Sequence, residues 1–133
     1  MNAAYVDYDA EQLMRSKVRA ESFVLAHTTS GDRIAIWTPP DRSTSALAAM
    51  QLWGKYNNVL ADDALSRAQA KVLQRQRPSV LALYAPEASQ IRALTASLPP
   101  EARPAAPRCT AVPYLGIGSP TAQVCVVRLR WIG

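Results

Sequence analysis

Residues 125–131 read Cys-Val-Val-Arg-Leu-Arg-Trp, and this stretch decides what kind of fold the sequence favours. Apolar residues at 125, 127, 129 and 131 alternate with the positions between them, which is the period of a β-strand with one face in a core. We expect Arg128 and Arg130 to project from the other face, toward solvent or a partner. The strand therefore belongs to a sheet that has a buried side.

Four further stretches are predicted to form strands. Residues 79–84 form a short apolar run between turn signals, which fits a buried strand. Residues 23–27 and 33–38 are rich in β-forming residues and flank a Gly-containing turn, so they predict a hairpin. Residues 109–115 are also expected to be extended, although Pro113 confines them to a sheet edge or an irregular position.

Helices are predicted where apolar residues recur every three to four positions. Such spacing occurs over about residues 10–20, 44–57, 62–76 and 87–98. Residues 99–108 contain four prolines, which remove backbone donors, and this segment is expected to be a loop. The helices and strands thus alternate irregularly along the chain.

Together these elements predict an α+β fold in a single domain over residues 1–133. The chain length and its 49% hydrophobic residues suit one core. We expect a mixed sheet of about four to five strands with about four helices, in the order αββααβαββ, and with the helices on one face of the sheet.

Several features favour a cytoplasmic protein with no membrane partner. The N-terminal residues lack a basic signal region, and no apolar run approaches the roughly 20 residues that cross a bilayer. Cys109 and Cys125 are 16 residues apart and are expected to be reduced thiols in the core. With one histidine and two cysteines in the chain, a zinc site lacks ligands, and no metal is predicted.

Charge is distributed unevenly along the chain. Residues 1–64 contain six basic and eight acidic residues, whereas residues 65–133 contain nine basic and two acidic ones. Within the basic half, Arg67, Lys71 and Arg75 follow one another at intervals of four, so they form one stripe if this segment is helical. Arg77 follows just beyond the helix end.

This stripe has three interpretations. It fits the acidic face of a protein, or the phosphates of a nucleic acid, whose counterions it would release. A solvated helix face, with Arg75 and Arg77 complementing the negative helix C-terminus, is the third. No aromatic stacking platform accompanies the stripe, so a protein partner is favoured over a nucleic-acid partner. Arg128 and Arg130 are candidates to extend the same surface, together with Trp131, because Trp and Arg are favoured at interfaces.

The sequence contains no recognisable catalytic motif. His27 is the only histidine, and Ser30 is its nearest candidate partner for enzyme chemistry. Residues 116–120 contain two glycines but lack the third glycine of a dinucleotide site and the Gly-Lys of a phosphate loop, so they predict a plain turn. No cofactor is expected.

The sequence therefore favours a non-catalytic protein-interaction domain that docks a cationic surface on a macromolecular partner with an acidic surface. An accessory subunit or an inhibitor suits the size, and arginine outnumbers lysine twelve to three, as is typical of GC-rich bacteria and their phages. The alternative is a nucleic-acid-binding accessory protein that contacts phosphates through helix 62–76. Homo-oligomerisation stays open, because the strand near Pro113 and the C-terminal strand are both candidate sheet edges.

Overall fold

Three helices lie in the part of the chain that the computed structural model describes, which comprises residues 15–16, 18–38, 56–60, 66–113 and 122–132. They are α1 over residues 15–16 and 18–26, α2 over Arg67–Gln76, and α3 over Ala88–Ala96. About four helices in the order αββααβαββ were expected, whereas the described elements follow the order αββαβαβββ. The predicted helix over 44–57 falls mainly on residues 44–55, outside the described ranges, as does the turn predicted over 116–120.

Within these described ranges, six strands form one mixed sheet. They are β1 Ile34–Trp37, β2 Tyr56–Leu60, β3 Val80–Tyr84, β4 Ala102–Pro104, β5 Arg108–Ala111 and β6 Gln123–Trp131. The spatial order is β2-β1-β3-β6, and β4 and β5 pair one after the other with the remaining side of β6. The first three strands are parallel, and β6 is antiparallel to its neighbours. The predicted α+β class with a mixed sheet is confirmed.

The centre of the sheet is buried on both faces. Every residue of β1 and β3 is buried, which explains why these strands are continuous apolar runs rather than alternating ones. Ala20 and Val24 of α1 pack on one face, which we call the α1 face. Leu73 of α2 and Leu94 of α3 pack on the other, the α2–α3 face. The expectation that all helices share one face is wrong.

The last residues of α1 differ from the sequence prediction. Residues 23–26 are helical, although their Phe-Val-Leu run was predicted to be a strand. Ala20 and Val24 are four positions apart and both reach the core, so the helical period rather than β propensity decides the conformation here. Residues 56 and 57, predicted to end a helix, instead begin β2.

Strands β4 and β5 together form one edge of the sheet, within and just after the segment predicted to be a proline-rich loop. Between their pairings with β6, three residues (105–107) oppose two (127–128), which is a one-residue β-bulge. Ala105 N–H donates to Arg128 O at 2.8 Å, so the neighbouring Pro104 faces away from β6. Proline therefore costs no ladder hydrogen bond at this position, as edge strands allow.

The position of β6 removes one of the two candidate sheet edges. β6 lies between β3 and the β4–β5 edge, so its backbone is paired on both sides. The C-terminal strand is therefore not available for pairing with a second copy of the chain. The strand that precedes Pro113, β5, does lie at an edge, as predicted.

The two cysteines form a disulfide rather than two reduced thiols. Cys109 of β5 and Cys125 of β6 are directly opposite each other in register, with Cα atoms 4.1 Å apart. The prediction of core thiols is wrong because strand register, which sequence spacing does not reveal, brings them together. Cys125 is buried and Cys109 is exposed. The cytoplasmic location stays a prediction, although disulfides are more common in oxidising compartments than in the cytosol.

Among the described residues, no helix has the length and apolar character needed to cross a bilayer.

Candidate functional site

Helix α2 has well-defined ends. Gln69 N–H donates to Ser66 Oγ at 3.1 Å, and Ser66 N–H donates to Gln69 Oε1 at 3.0 Å, which is a capping box. At the other end, Arg77 adopts a left-handed conformation with φ of 48°, and its N–H donates to Leu73 O. Because both ends are fixed, the side chains between them keep a regular helical spacing.

The exposed side of α2 carries the predicted cationic stripe. Leu73 is the one fully buried residue of this helix, whereas Arg67, Lys71 and Arg75 are exposed. None of these three cations has an acidic partner among the described residues. The nearby carboxylate of Glu101 instead accepts a hydrogen bond from Gln74 Nε2 at 2.9 Å.

A shallow groove of about 610 Å³ runs along the same helix. It is lined by Ala68, Lys71, Val72, Gln74 and Arg75. The groove combines an apolar floor with two cations, so a partner that enters it meets both kinds of surface.

Arg77 and Trp131 extend this cationic side. The guanidinium carbon of Arg77 lies 5.6 Å from the centre of the Trp131 ring, within the range of a cation–π contact. Trp131 Nε1 donates to Pro78 O at 2.8 Å, which fixes the indole against the end of α2. We call the five residues Arg67, Lys71, Arg75, Arg77 and Trp131 the α2 surface.

Arg128 lies elsewhere and is already paired. Its guanidinium donates to both carboxylate oxygens of Asp32, at 3.1 and 2.9 Å, and to His27 O at 3.2 Å. Asp32 also accepts hydrogen bonds from Thr29 N at 2.7 Å and Ser79 Oγ at 2.8 Å. The hydrogen bond from Arg128 lowers the pKa of Asp32 well below its usual range, and partial burial opposes this effect.

The structure therefore divides the predicted binding residues into two groups. Successive residues of β6 point to opposite faces, so Trp131 shares the α2–α3 face with Cys125, while Arg128 and Arg130 project from the α1 face. The predicted continuation of the α2 stripe through Arg128 and Arg130 does not form.

Two further arginines, Arg103 and Arg108, lie on the α1 face with Arg128 and Arg130. The sequence analysis did not predict them as binding residues. Arg103 is directly opposite Arg130, and Arg108 is directly opposite Val126, which shares the α1 face. In a regular strand, residues five apart point to opposite faces, and only the bulge at 105–107 puts both arginines on one face. The segment was assigned to a loop, and no local signal predicts the bulge.

His27 and Ser30, the candidates for enzyme chemistry, are not coupled. His27 Nδ1 lies 2.9 Å from Phe23 O, to which it donates, and the imidazole ring contacts the Phe23 ring. In the described part of the chain, no hydrogen bond joins His27 to Ser30, which is exposed. The histidine thus serves to complete the end of α1.

The residues that the structure describes contain no group of three or more His, Cys, Asp or Glu side chains placed to hold a metal ion. Comparisons with protein families, with curated proteins and with solved structures find no match for this chain.

Proposed function

We propose that this chain is a non-catalytic protein-interaction domain that docks its α2 surface on an acidic region of a partner protein. In this proposal it acts as an accessory subunit or an inhibitor, a role that suits a chain of 133 residues whose sequence has no recognisable catalytic motif. The binding residues are Arg67, Lys71, Arg75, Arg77 and Trp131.

The observation that carries the proposal is the stripe of exposed cations, for which the described residues provide no acidic partner. Over Arg67, Lys71 and Arg75 the stripe spans about 12 Å at the rise of an α-helix. Surface helices often mix both signs of charge, since oppositely charged residues four apart stabilise the helix. α2 has three cations and no acidic residue. α2 therefore lacks the stabilisation that such pairs provide. Its three cations instead produce a positive electrostatic potential that suits an acidic partner.

The second support is the Arg77–Trp131 pair at the end of the stripe. Aromatic and arginine side chains are enriched among residues that dominate binding free energies, especially where their orientation is fixed. Trp131 is held by its hydrogen bond to Pro78 and by contact with Arg77. The pair thus offers a rigid, amphipathic end to an otherwise flexible row of cations.

A partner protein fits better than a nucleic acid. Single-stranded nucleic acids are usually bound with aromatic platforms on which bases stack, and Arg77 covers the ring of Trp131. Arg128 and Arg130, which would have lengthened a phosphate-binding track, lie on the opposite sheet face. The nucleic-acid alternative is thereby reduced to the three cations of α2.

The test is affinity capture from host extract, carried out in parallel with and without nuclease. Three baits are compared: the wild-type chain, the triple variant Arg67→Gln/Lys71→Gln/Arg75→Gln, and the control Arg92→Gln, which removes an exposed cation from α3. We expect wild type and control to retain a discrete partner protein. The triple variant should bind the purified partner roughly 10- to 100-fold more weakly.

Two results would contradict the proposal. If the triple variant retains the partner as well as wild type does, the α2 surface is not the docking site. If nucleic acid is recovered and proteins are lost after nuclease treatment, the alternative is correct. In that case, neutralising three phosphates predicts that a fourfold rise in salt lowers affinity about fortyfold.

A further inference from the structure

The α1 face carries a second set of cations near the β4–β5 edge. Arg103 and Arg130 lie directly opposite each other, and Arg108 lies on the same face. All three are exposed, and none has an acidic partner among the described residues. Like charges directly opposite each other destabilise a sheet, and a bound anion reverses that effect.

Beside these cations the fold forms a cavity of about 410 Å³. It lies between the C-terminal end of α1, the bulge and β6, and its lining includes Arg108, Arg128, His27, Ala105 and Ala106. Two of the lining residues, Ala105 and Ala106, belong to the bulge. A cavity of this size is in the range of sites for small organic molecules.

The cavity already contains an oriented guanidinium. Arg128 is held by two hydrogen bonds to Asp32 and one to His27 O, yet 49% of its side chain is exposed. Asp32 balances its charge, so the net positive charge at the cavity comes from Arg108, with Arg103 and Arg130 beyond it. A fixed and a free arginine side by side suit a ligand group with several oxygens, because guanidinium N–H groups match such oxygens in pairs.

We propose that this cavity binds a phosphorylated small molecule. Arg108 is the main phosphate-binding residue, Arg128 orients the group, and Arg103 and Arg130 raise the local positive potential. A phosphate carries more negative charge than a single carboxylate and suits an excess of three cations. The alanine side chains of the bulge provide an apolar wall for the organic part.

The proposal is tested by calorimetric titration with inorganic pyrophosphate and with ribose 5-phosphate, with citrate as a polyanion that lacks phosphate. We expect saturable binding of at least one phosphate probe, and weaker binding of citrate. Arg108→Gln should weaken phosphate binding by about tenfold or more, and Arg108→Lys should restore part of it. The control Arg92→Gln should leave binding within about twofold.

Binding of pyrophosphate alone would support the proposal and show that the phosphate groups account for the affinity. Tighter binding of ribose 5-phosphate would support it and show that the apolar wall also contributes to the affinity. Three results would overturn the proposal: no saturable binding of either probe, unchanged binding by Arg108→Gln, or citrate binding as tight as phosphate binding. Because Arg108 is exposed, its variants should melt like wild type. Arg103→Gln serves as a second variant and should weaken binding by a smaller factor.

This site is independent of the α2 surface, since it lies on the opposite face of the sheet. The variant Arg67→Gln/Lys71→Gln/Arg75→Gln should therefore bind pyrophosphate as wild type does. Failure of one proposal leaves the other unaffected.

Discussion

Asp32 connects three separate parts of the fold. Its carboxylate accepts hydrogen bonds from Thr29 in the turn after α1, from Ser79 just before β3, and from Arg128 of β6. Only 9% of its side chain is exposed, so water competes little for these bonds. The residue therefore ties the end of α1 to the sheet, beside the proposed phosphate cavity.

We predict that Asp32→Asn lowers the free energy of unfolding by about 2 kcal/mol near neutral pH, because a charged acceptor is replaced by a neutral one. The pKa of Asp32 is lowered in the folded protein. Its charge therefore stabilises the fold fully above the pKa of the unfolded chain, near 4, and this stabilisation is lost as the pH falls toward the lower folded value.

Urea denaturation of wild type and variant, near neutral pH and at about pH 2, measures this effect. The stability gap should shrink at the acidic pH. The matched control is Glu101→Gln, whose carboxylate has no cationic partner among the described residues, and it should change stability by less than about 0.5 kcal/mol. An equal gap at both pH values would contradict the role given to the Asp32 charge.

Thr38 is a polar residue in the protein interior. It is fully buried after β1, and its Oγ1 has no hydrogen-bond partner among the described residues. We expect Thr38→Val to raise the free energy of unfolding by about 1 kcal/mol, because an unpaired buried hydroxyl is replaced by a methyl group. Thr95→Val is the control, since the Thr95 hydroxyl donates to Ile91 O at 2.9 Å and its loss should bring no gain. Chemical denaturation that shows Thr38→Val to be destabilising would mean that the hydroxyl is paired.

At the scale of elements, α2 is attached to the sheet mainly through one residue. Leu73 is its only fully buried side chain, so we predict that Leu73→Ala lowers the free energy of unfolding by about 3 kcal/mol. Val72→Ala, at a partly exposed position in the groove, should cost about 1 kcal/mol or less. Equal losses for the two variants in urea denaturation would show that α2 packs differently from the arrangement described.

The disulfide links two strands, because it joins β5 at the sheet edge to β6. It closes a segment with a sequence separation of 16 residues, for which the chain-entropy argument predicts a stabilisation of about 3 kcal/mol. Reduction should lower the urea midpoint of wild type. Cys109→Ser should match the reduced wild type and should not respond to reductant. An unchanged midpoint after complete reduction would contradict this prediction.

At the scale of the whole molecule, the sequence predicts elements that have one clear local pattern. β3, β6, α3 and the main part of α2 form where apolar spacing predicts them. The end of α1 was predicted to be a strand because a short apolar run is compatible with both helical and strand periodicity. Only the packing of the run against the rest of the fold distinguishes the two.

The candidate sites show the same division between local and non-local information. The α2 stripe was found because helical spacing depends on the sequence of that helix alone. Arg103 and Arg108, and the facing of Cys109 and Cys125, depend on how the edge strand aligns with β6. That alignment follows from packing and from a bulge that has no local signature.

Photo-crosslinking from α2 tests whether the α2 surface contacts a partner protein. A photoreactive residue is placed at Ala68, which is exposed and lines the groove of α2, or at Ser89 on the exposed side of α3 as a control. We expect a discrete, nuclease-resistant protein adduct from position 68 and none from position 89. Adducts that disappear with nuclease, or that form equally from both positions, would contradict it.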